Sequence, residues 1–159
     1  LEKSSLPKKV KSDAIEVFRL IGKAEAQVHR TTLNKIHFHE VGSIDSIVDI
    51  VGGALGMGLL NIQKIFSSPL NTGEGFVKCE HGTFPVPAPA TLKLLKGIPC
   101  YSSGIKKELT TPTGAAFIGY FAEKFGSMPN MYILDTGYGA GDHKIKEIPN
   151  LSSCSKSND

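Results

Sequence analysis

The sequence contains no tryptophan and only three cysteines, none of which belongs to a CxxC pair. An odd number of cysteines without paired spacing argues against a disulfide scaffold and against a zinc site built of cysteines alone, and it indicates a reduced, cytoplasmic protein.

The sequence also lacks an apolar run of about 20 residues, the length that a membrane-spanning helix needs. Its longest apolar stretch, Ile44 to Leu60, is interrupted by two aspartates. The sequence therefore predicts no membrane span.

Residues 12–150, the body of the chain, carry no net charge. The 159 residues carry a formal charge of +3, but residues 1–11 and 151–159 account for it, and the rest of the chain has 13 basic and 13 acidic residues. A nucleic-acid-binding domain usually carries a basic stripe on its folded part. We therefore expect no nucleic acid partner. We interpret residues 1–11 as a tail or linker and residues 151–159 as a disordered tail.

Length and composition indicate one globular domain. Hydrophobic residues make up 40% and charged residues 21% of the chain, which is typical of folded rather than disordered proteins. We assign this central domain to residues 12–150. Because the sequence begins with Leu1 rather than Met, we expect the chain to be a fragment of a longer protein.

Helical and extended patterns alternate loosely along the chain. Predicted helices span residues 12–30, 44–60, 90–96 and 112–125. Predicted strands span residues 35–41, 64–70, 75–80, 100–103 and 131–135, and we expect 64–70 and 75–80 to pair as a hairpin. The expected fold class is therefore α/β, with mixed helices and short strands in one compact domain with disordered tails.

Several residues at predicted helix ends and in connecting segments are of types typical of caps, extended segments or loops. Ser12 is the expected N-cap of the first helix, and Thr111 is the expected N-cap of the last helix, with a proline at its first position. Gly97 is the expected closing residue of the third helix. Residues 85–89 hold three prolines, which predicts an extended and rigid segment, and residues 137–141 form a predicted glycine-rich loop.

Two histidines lie at alternate positions of the first predicted strand. His37 and His39 therefore point to the same side, about 7 Å apart, and can bind one metal ion or flank one substrate. Glu40 follows directly and lies on the other side if the strand is regular. The alternative is a partly exposed strand with ordinary histidines.

Two aspartates lie one turn apart in the second predicted helix. Asp45 and Asp49 share a face and repel each other there, which favours a cation or hydrogen-bond donors nearby. The alternative for Asp45 is a first-turn residue that the helix dipole stabilises. The same helix holds Gly52, Gly53 and Gly56, which favour the close approach of another backbone or of a ligand.

Cys79 and His81 form a second pair at alternate positions. A thiolate and an imidazole together suit borderline and soft ions such as nickel, zinc or copper. The alternative is a buried cysteine beside a surface histidine.

The segment Thr110–Ala116 (TTPTGAA) places hydroxyl groups and a glycine at the start of a helix. The first amides of a helix have no helical acceptor, so such a segment can bind an anion. Ordinary capping explains the segment equally well. The sequence contains no GxxxxGK[ST] phosphate loop.

These blocks, in this order, resemble the LarC family of nickel insertion proteins. The resemblance covers about residues 12–145 and is carried by HFHEVGSIDSIVDIVGGALG (37–56), SPLNTGEGFVKCEHGTFPVPAPAT (68–91), ELTTPTGAA (108–116) and GYGAGDH (137–143). LarC-type proteins also have an acidic N-terminal segment and a separate α+β C-terminal region, so this chain resembles the middle of the family.

The resemblance implies nickel insertion into pyridinium-3,5-bisthiocarboxylic acid mononucleotide, during biosynthesis of a nickel-pincer cofactor. It also implies CTP, with Mg or Mn, bound through the C-terminal region. The implied chemistry needs exchangeable metal ligands, a base and a phosphate anchor.

Residue chemistry suggests which side chains supply these groups. The expected metal ligands are His37, His39, Cys79, His81 and Asp49. The expected base is Glu40 or Asp45. The expected anchor for the substrate phosphate is Thr111, Thr113 and the Gly114 amide. We expect these segments to converge on one solvent-accessible pocket.

Two other functions remain open at this point. The first is a metal-dependent phosphohydrolase that uses manganese or magnesium. The second is a non-catalytic assembly domain in which the glycine-rich helix packs against a neighbouring subunit. Such packing would make a homo-oligomer.

Overall fold

The computed structural model describes residues 1, 3–36, 44–79, 82–140 and 151–157. Its contacts divide the chain into two units, Leu1–Ser127 and Met128–Asp159, which we describe separately. Helices and short strands occur together in the first unit, which confirms the predicted mixed α/β class. Among the described residues, no helix is both long enough and apolar enough to span a membrane.

The first unit contains the four helices that the sequence predicted. They are α1 (Lys8–Val28), α2 (Ile44–Leu59), α3 (Pro89–Leu94) and α4 (Pro112–Phe121), with a short 3-10 helix at Leu33–Lys35. The predicted start of α1 at Ser12 is wrong, because the helix begins directly after Pro7. Its apolar stripe extends back to Val10, which is buried, and burial of that side chain favours helix in the turn before Ser12.

The core of this unit lies where α1 meets α2 and α4. Four residues of α1 spaced three or four apart are buried there, together with small or branched residues of the other two helices. The buried set is Val10, Ala14, Val17, Ile21, Ile50, Ala54 and Ala116. Alanines at the crossing let the helix backbones approach closely, and α1 thereby fixes the position of α2 relative to α4.

Short strands form three two-stranded sheets in the first unit. The strands are β1 (Phe66–Ser67), β2 (Leu70–Asn71), β3 (Phe76–Cys79), β4 (Gly82–Pro85), β5 (Cys100–Tyr101) and β6 (Lys124–Phe125). β1 pairs with β6 and β2 with β5, both in parallel, whereas β3 pairs with β4 in an antiparallel hairpin. The predicted hairpin between 64–70 and 75–80 is therefore wrong, because β1 and β2 bond to strands far along the chain.

The last helix is shorter than predicted. The pattern predicted helix up to residue 125, but α4 ends at Phe121 and Lys124 already belongs to β6. The Glu123 amide donates to the Ile65 carbonyl and the Gly126 amide to the Ser67 carbonyl. Pairing with β1 thus ends the helix early. The third helix is also shorter than predicted: α3 ends at Leu94 with Leu95 as its C-cap, so Gly97, whose φ is +85°, lies two residues beyond the cap and does not close the helix as predicted.

The described residues of the second unit form one antiparallel strand pair. β7 (Asp135–Ala140) pairs with β8 (Leu151–Lys156). The glycine-rich loop predicted from residue 137 is wrong within the described residues, because Gly137 and Gly139 lie in β7. Gly137 pairs with Cys154, whose Sγ would lie 3.2 Å from any Cβ at position 137. Strand β8 occupies most of the segment for which we predicted a tail, and the domain limits themselves stay predictions.

Candidate functional site

One cleft in the first unit brings together two segments that the sequence singled out. It has a volume of about 290 Å³ and lies between α2 and the N-terminal half of α4. Its lining residues are Asp49, Gly53, Thr111, Thr113, Gly114, Phe117 and Ile118. A volume near 300 Å³ is at the lower end of the range for small-molecule sites.

Helical periodicity explains which side chains reach the cleft. Asp49 and Gly53 are four residues apart on α2, so they lie on one face of that helix. On α4, Phe117 lies four residues after Thr113 in the same way. The cleft therefore has a polar end at the start of α4 and an apolar wall one turn further along.

The start of α4 has the geometry of a capped helix N-terminus. Thr111 Oγ1 accepts a hydrogen bond of 3.2 Å from the Gly114 amide, which confirms Thr111 as the N-cap. The Ala115 amide donates to the Thr111 carbonyl, and Pro112 has no amide hydrogen. Within the described parts of the chain, the Thr113 amide meets no acceptor. An anion in the cleft would therefore meet that amide and the positive end of the α4 dipole.

Asp49 lines the same cleft and is exposed to solvent. A carboxylate and a helix N-terminus in one cleft attract opposite charges. They suit a ligand that brings a cation and an anion together. Asp45 lies one turn earlier on α2, is also exposed, and does not line the cleft.

A hydrogen-bonded loop supports the residues directly before α4. Thr110 Oγ1 donates to the Asn71 carbonyl at 2.7 Å, and the Leu109 amide donates to the Thr72 carbonyl at 3.1 Å. The Asn71 side chain accepts from the amides of Gly73 and Ser103. Sequence analysis missed Asn71, since its partners lie up to 39 residues away.

Of the other four predicted metal ligands, the structure describes only Cys79. Cys79 ends β3, is partly buried, and its Sγ lies 3.5 Å from the Gly82 carbonyl oxygen. It is not among the cleft-lining residues. The predicted ligands His37, His39 and His81 and the predicted base Glu40 lie outside the described residues. Among the residues that the structure does describe, no three metal-ligating side chains cluster.

Sequence analysis also missed the apolar wall of the cleft. Phe117 and Ile118 lie four residues after Thr113 and Gly114, so the spacing that places the polar pair predicts the apolar pair as well. Of the three glycines expected to permit a close approach, only Gly53 has a near neighbour among the described residues. An ideal Cβ on Gly53 would lie 2.6 Å from the Phe117 ring, whereas Gly52 and Gly56 face open space.

Comparison with known proteins gives one consistent result. A family model described as "Nickel insertion protein" matches residues 1–156 of this chain. A pyridinium-3,5-bisthiocarboxylic acid mononucleotide nickel insertion protein from Desulfitobacterium hafniense (strain DSM 10664 / DCB-2) is 50% identical over 149 residues, which cover 94% of this chain and 37% of the relative. A protein of the same name from another strain of that species shows the same identity and coverage.

A protein from another bacterium is similar to the same extent. A relative from Syntrophobacter fumaroxidans is 49% identical over 148 residues, covering 93% of this chain and 38% of the relative. The chain thus spans less than two fifths of the length of these relatives. No solved structure matches it.

Proposed function

We propose, from the premise that this chain belongs to the nickel insertion protein family, that its cleft takes part in inserting nickel into pyridinium-3,5-bisthiocarboxylic acid mononucleotide. Relatives about half identical to the chain carry that reaction in their names. The observation that carries the proposal is the cleft in which Asp49 lies with Thr111, Thr113 and Gly114. A nickel ion beside a mononucleotide is the kind of cation and anion pair that such a cleft attracts.

The metal is the cargo of the proposed reaction. Ni²⁺ binds the two thiocarboxylate sulfurs of the mononucleotide. A nickel–carbon bond then forms at the ring carbon between them, while the carbon–hydrogen bond breaks and its proton passes to a base. No electron is gained or lost overall. We assign Asp49, Cys79, His37, His39 and His81 as transient nickel ligands, and Glu40 or Asp45 as the base.

The start of α4 is the proposed phosphate anchor. The Thr113 amide and the hydroxyls of Thr111 and Thr113 are the donors assigned to the substrate phosphate. The Gly114 amide, which we also assign to the anchor, already donates to Thr111 Oγ1, so it would have to exchange that acceptor for a phosphate oxygen. Phosphate at this end of α4 interacts favourably with the helix dipole.

The nucleotide part of the proposal rests on the family resemblance alone. We assign CTP, with Mg or Mn, to the part of the longer relatives that this chain does not span.

A metal-dependent phosphohydrolase is the alternative function, and it would bind its phosphate at the same polar end of the cleft, at the start of α4, with manganese or magnesium. Selectivity among metals separates the two functions, because a nickel chelatase prefers nickel and leaves a phosphoester intact.

Calorimetric titration of the 159-residue chain tests the proposal. We expect Ni²⁺ to tighten binding of the mononucleotide, because the metal neutralises repulsion between the phosphate and Asp49. The Asp49→Asn variant should lose most of this nickel effect, and its metal-free binding should be at least as tight as that of the unaltered chain, because the repulsion is removed. The Thr113→Val variant should bind the mononucleotide several-fold more weakly with or without nickel.

Matched controls separate binding from folding in this titration. Glu123→Gln removes an exposed carboxylate from outside the cleft, and Thr136→Val removes an exposed hydroxyl from the second unit. Both should bind like the unaltered chain. Equal behaviour of Asp49→Asn and Glu123→Gln would contradict the metal role. Turnover of a generic phosphoester with manganese would favour the phosphohydrolase instead.

A further inference from the structure

The apolar wall of the cleft includes one aromatic ring, that of Phe117. Phe117 lies on α4 one turn after Thr113 and is partly buried. Its ring centroid lies 4.6 Å from that of Phe121, at an interplanar angle of 42°. The ring therefore has a neighbour on its own helix and another surface toward the cleft.

Gly53 on α2 makes room for this ring. An ideal Cβ at position 53 would lie 2.6 Å from both Cε2 and Cζ of Phe117, which is closer than such atoms pack. Glycine in a helix interior is unfavourable for helix formation. Its presence here lets the Phe117 ring lie directly against the α2 backbone, in the cleft that Asp49 also lines.

We propose that Phe117 determines specificity by stacking on the cationic pyridinium ring of the substrate. A planar cation on an aromatic face is attracted by the electrons of that face. Thr113 and Phe117 are four residues apart, about 6 Å along the helix axis, and in a mononucleotide one ribose separates the phosphate from the ring. The inference rests on the proposed function, since it takes the phosphate to lie at the start of α4.

Two ligands, one with a pyridinium ring and one without, separate the contribution of the Phe117 contact to affinity from that of the phosphate contact. Nicotinic acid mononucleotide carries a pyridinium ring, a ribose and a phosphate, whereas ribose 5-phosphate carries the same phosphate without the ring. Calorimetry with the 159-residue chain should show about tenfold tighter binding of the mononucleotide. The Phe117→Leu variant should reduce that ratio to near one and leave the affinity for ribose 5-phosphate unchanged.

Phe121→Leu is the matched control for this variant. Phe121 packs against the same core and the same ring, but it does not line the cleft. It should keep the tenfold ratio. If Phe117→Leu does not fold, Gly53→Ala displaces the ring and should lower the ratio, whereas Gly52→Ala meets open space and should not.

The outcomes distinguish failure of the ring contact from failure of the proposed function. Binding of ribose 5-phosphate with no gain from the ring, or a ratio that survives Phe117→Leu, would overturn the ring contact alone. Absence of binding for both ligands would overturn the phosphate anchor and the ring contact together.

Discussion

Tyr120 Oη donates a 2.9 Å hydrogen bond to Asp13 Oδ1, which joins α4 to α1 across 107 residues of sequence. Asp13 is only 6% exposed. Its other oxygen accepts from Lys9 Nζ at 2.8 Å. Because α4 also forms the polar end and the apolar wall of the cleft, this bond contributes to the position of the candidate site.

Tyr120→Phe should destabilise the first unit by about 1–2 kcal/mol, since it removes a hydrogen bond to a buried carboxylate. Urea denaturation followed by circular dichroism measures the change. Tyr101→Phe is the control, because the Tyr101 side chain is 52% exposed, and it should change the free energy of unfolding by less than about 0.5 kcal/mol. Equal effects of the two variants would show that the Asp13 bond contributes nothing.

The same tyrosine predicts how stability depends on pH. Burial, then the hydrogen bond to Asp13 and the negative charges of Asp13 and Glu16, raise the pKa of Tyr120 above its ordinary value of 10.0. The folded chain therefore holds this proton more tightly than the unfolded chain does. The resulting stabilisation is fully present below about pH 10 and is lost as the pH rises through the raised pKa of the folded state.

Subtracting the stability of Tyr120→Phe from that of the unaltered chain isolates this contribution from other titrating groups. We expect the difference in the free energy of unfolding to be constant at neutral pH and to shrink above about pH 10. A difference that grows in strongly alkaline solution would reverse the predicted sign.

Two adjacent glycines of α2 should respond in opposite directions to alanine. Gly52→Ala meets no atom within 4 Å and should stabilise the chain by about 0.5–1 kcal/mol through helix propensity and a less flexible unfolded state. Gly53→Ala has the same gain in helix propensity but forces the Phe117 ring to move, so we expect a net destabilisation of up to about 2 kcal/mol. Thermal denaturation of both variants checks the prediction, and stabilisation by Gly53→Ala would refute it.

Asn71 should matter more for stability than its partner Ser103. Asn71→Ala removes the acceptor of two backbone amides and the donor to Ser103 Oγ, with an expected loss of about 1–3 kcal/mol. Ser103→Ala removes only one of these three bonds, so its effect should be clearly smaller. Urea denaturation ranks the two variants, and an equal loss would contradict the role of the Asn71 acceptor.

Much of the candidate site was predictable as separate parts. The cap at Thr111 follows from a threonine before a proline at a helix start, and the shared face of Asp45 and Asp49 follows from their spacing. That Asp49 lies with Thr113 in one cleft does not follow from either pattern. It results from packing of both helices on α1, which involves residues scattered from Val10 to Ala116. The predicted roles of the histidines stay predictions.

By itself, the sequence determined the four helices and the cap at Thr111. These features depend on hydrogen bonds and side-chain contacts within a few residues of each other, so local patterns are sufficient to predict them. Only the tertiary structure decided which distant strands pair, where α1 begins, where α4 ends, and which face of α2 meets Phe117. Those outcomes depend on burial and on contacts between segments 30 to 107 residues apart, and no local pattern specifies which distant segment will supply the partner.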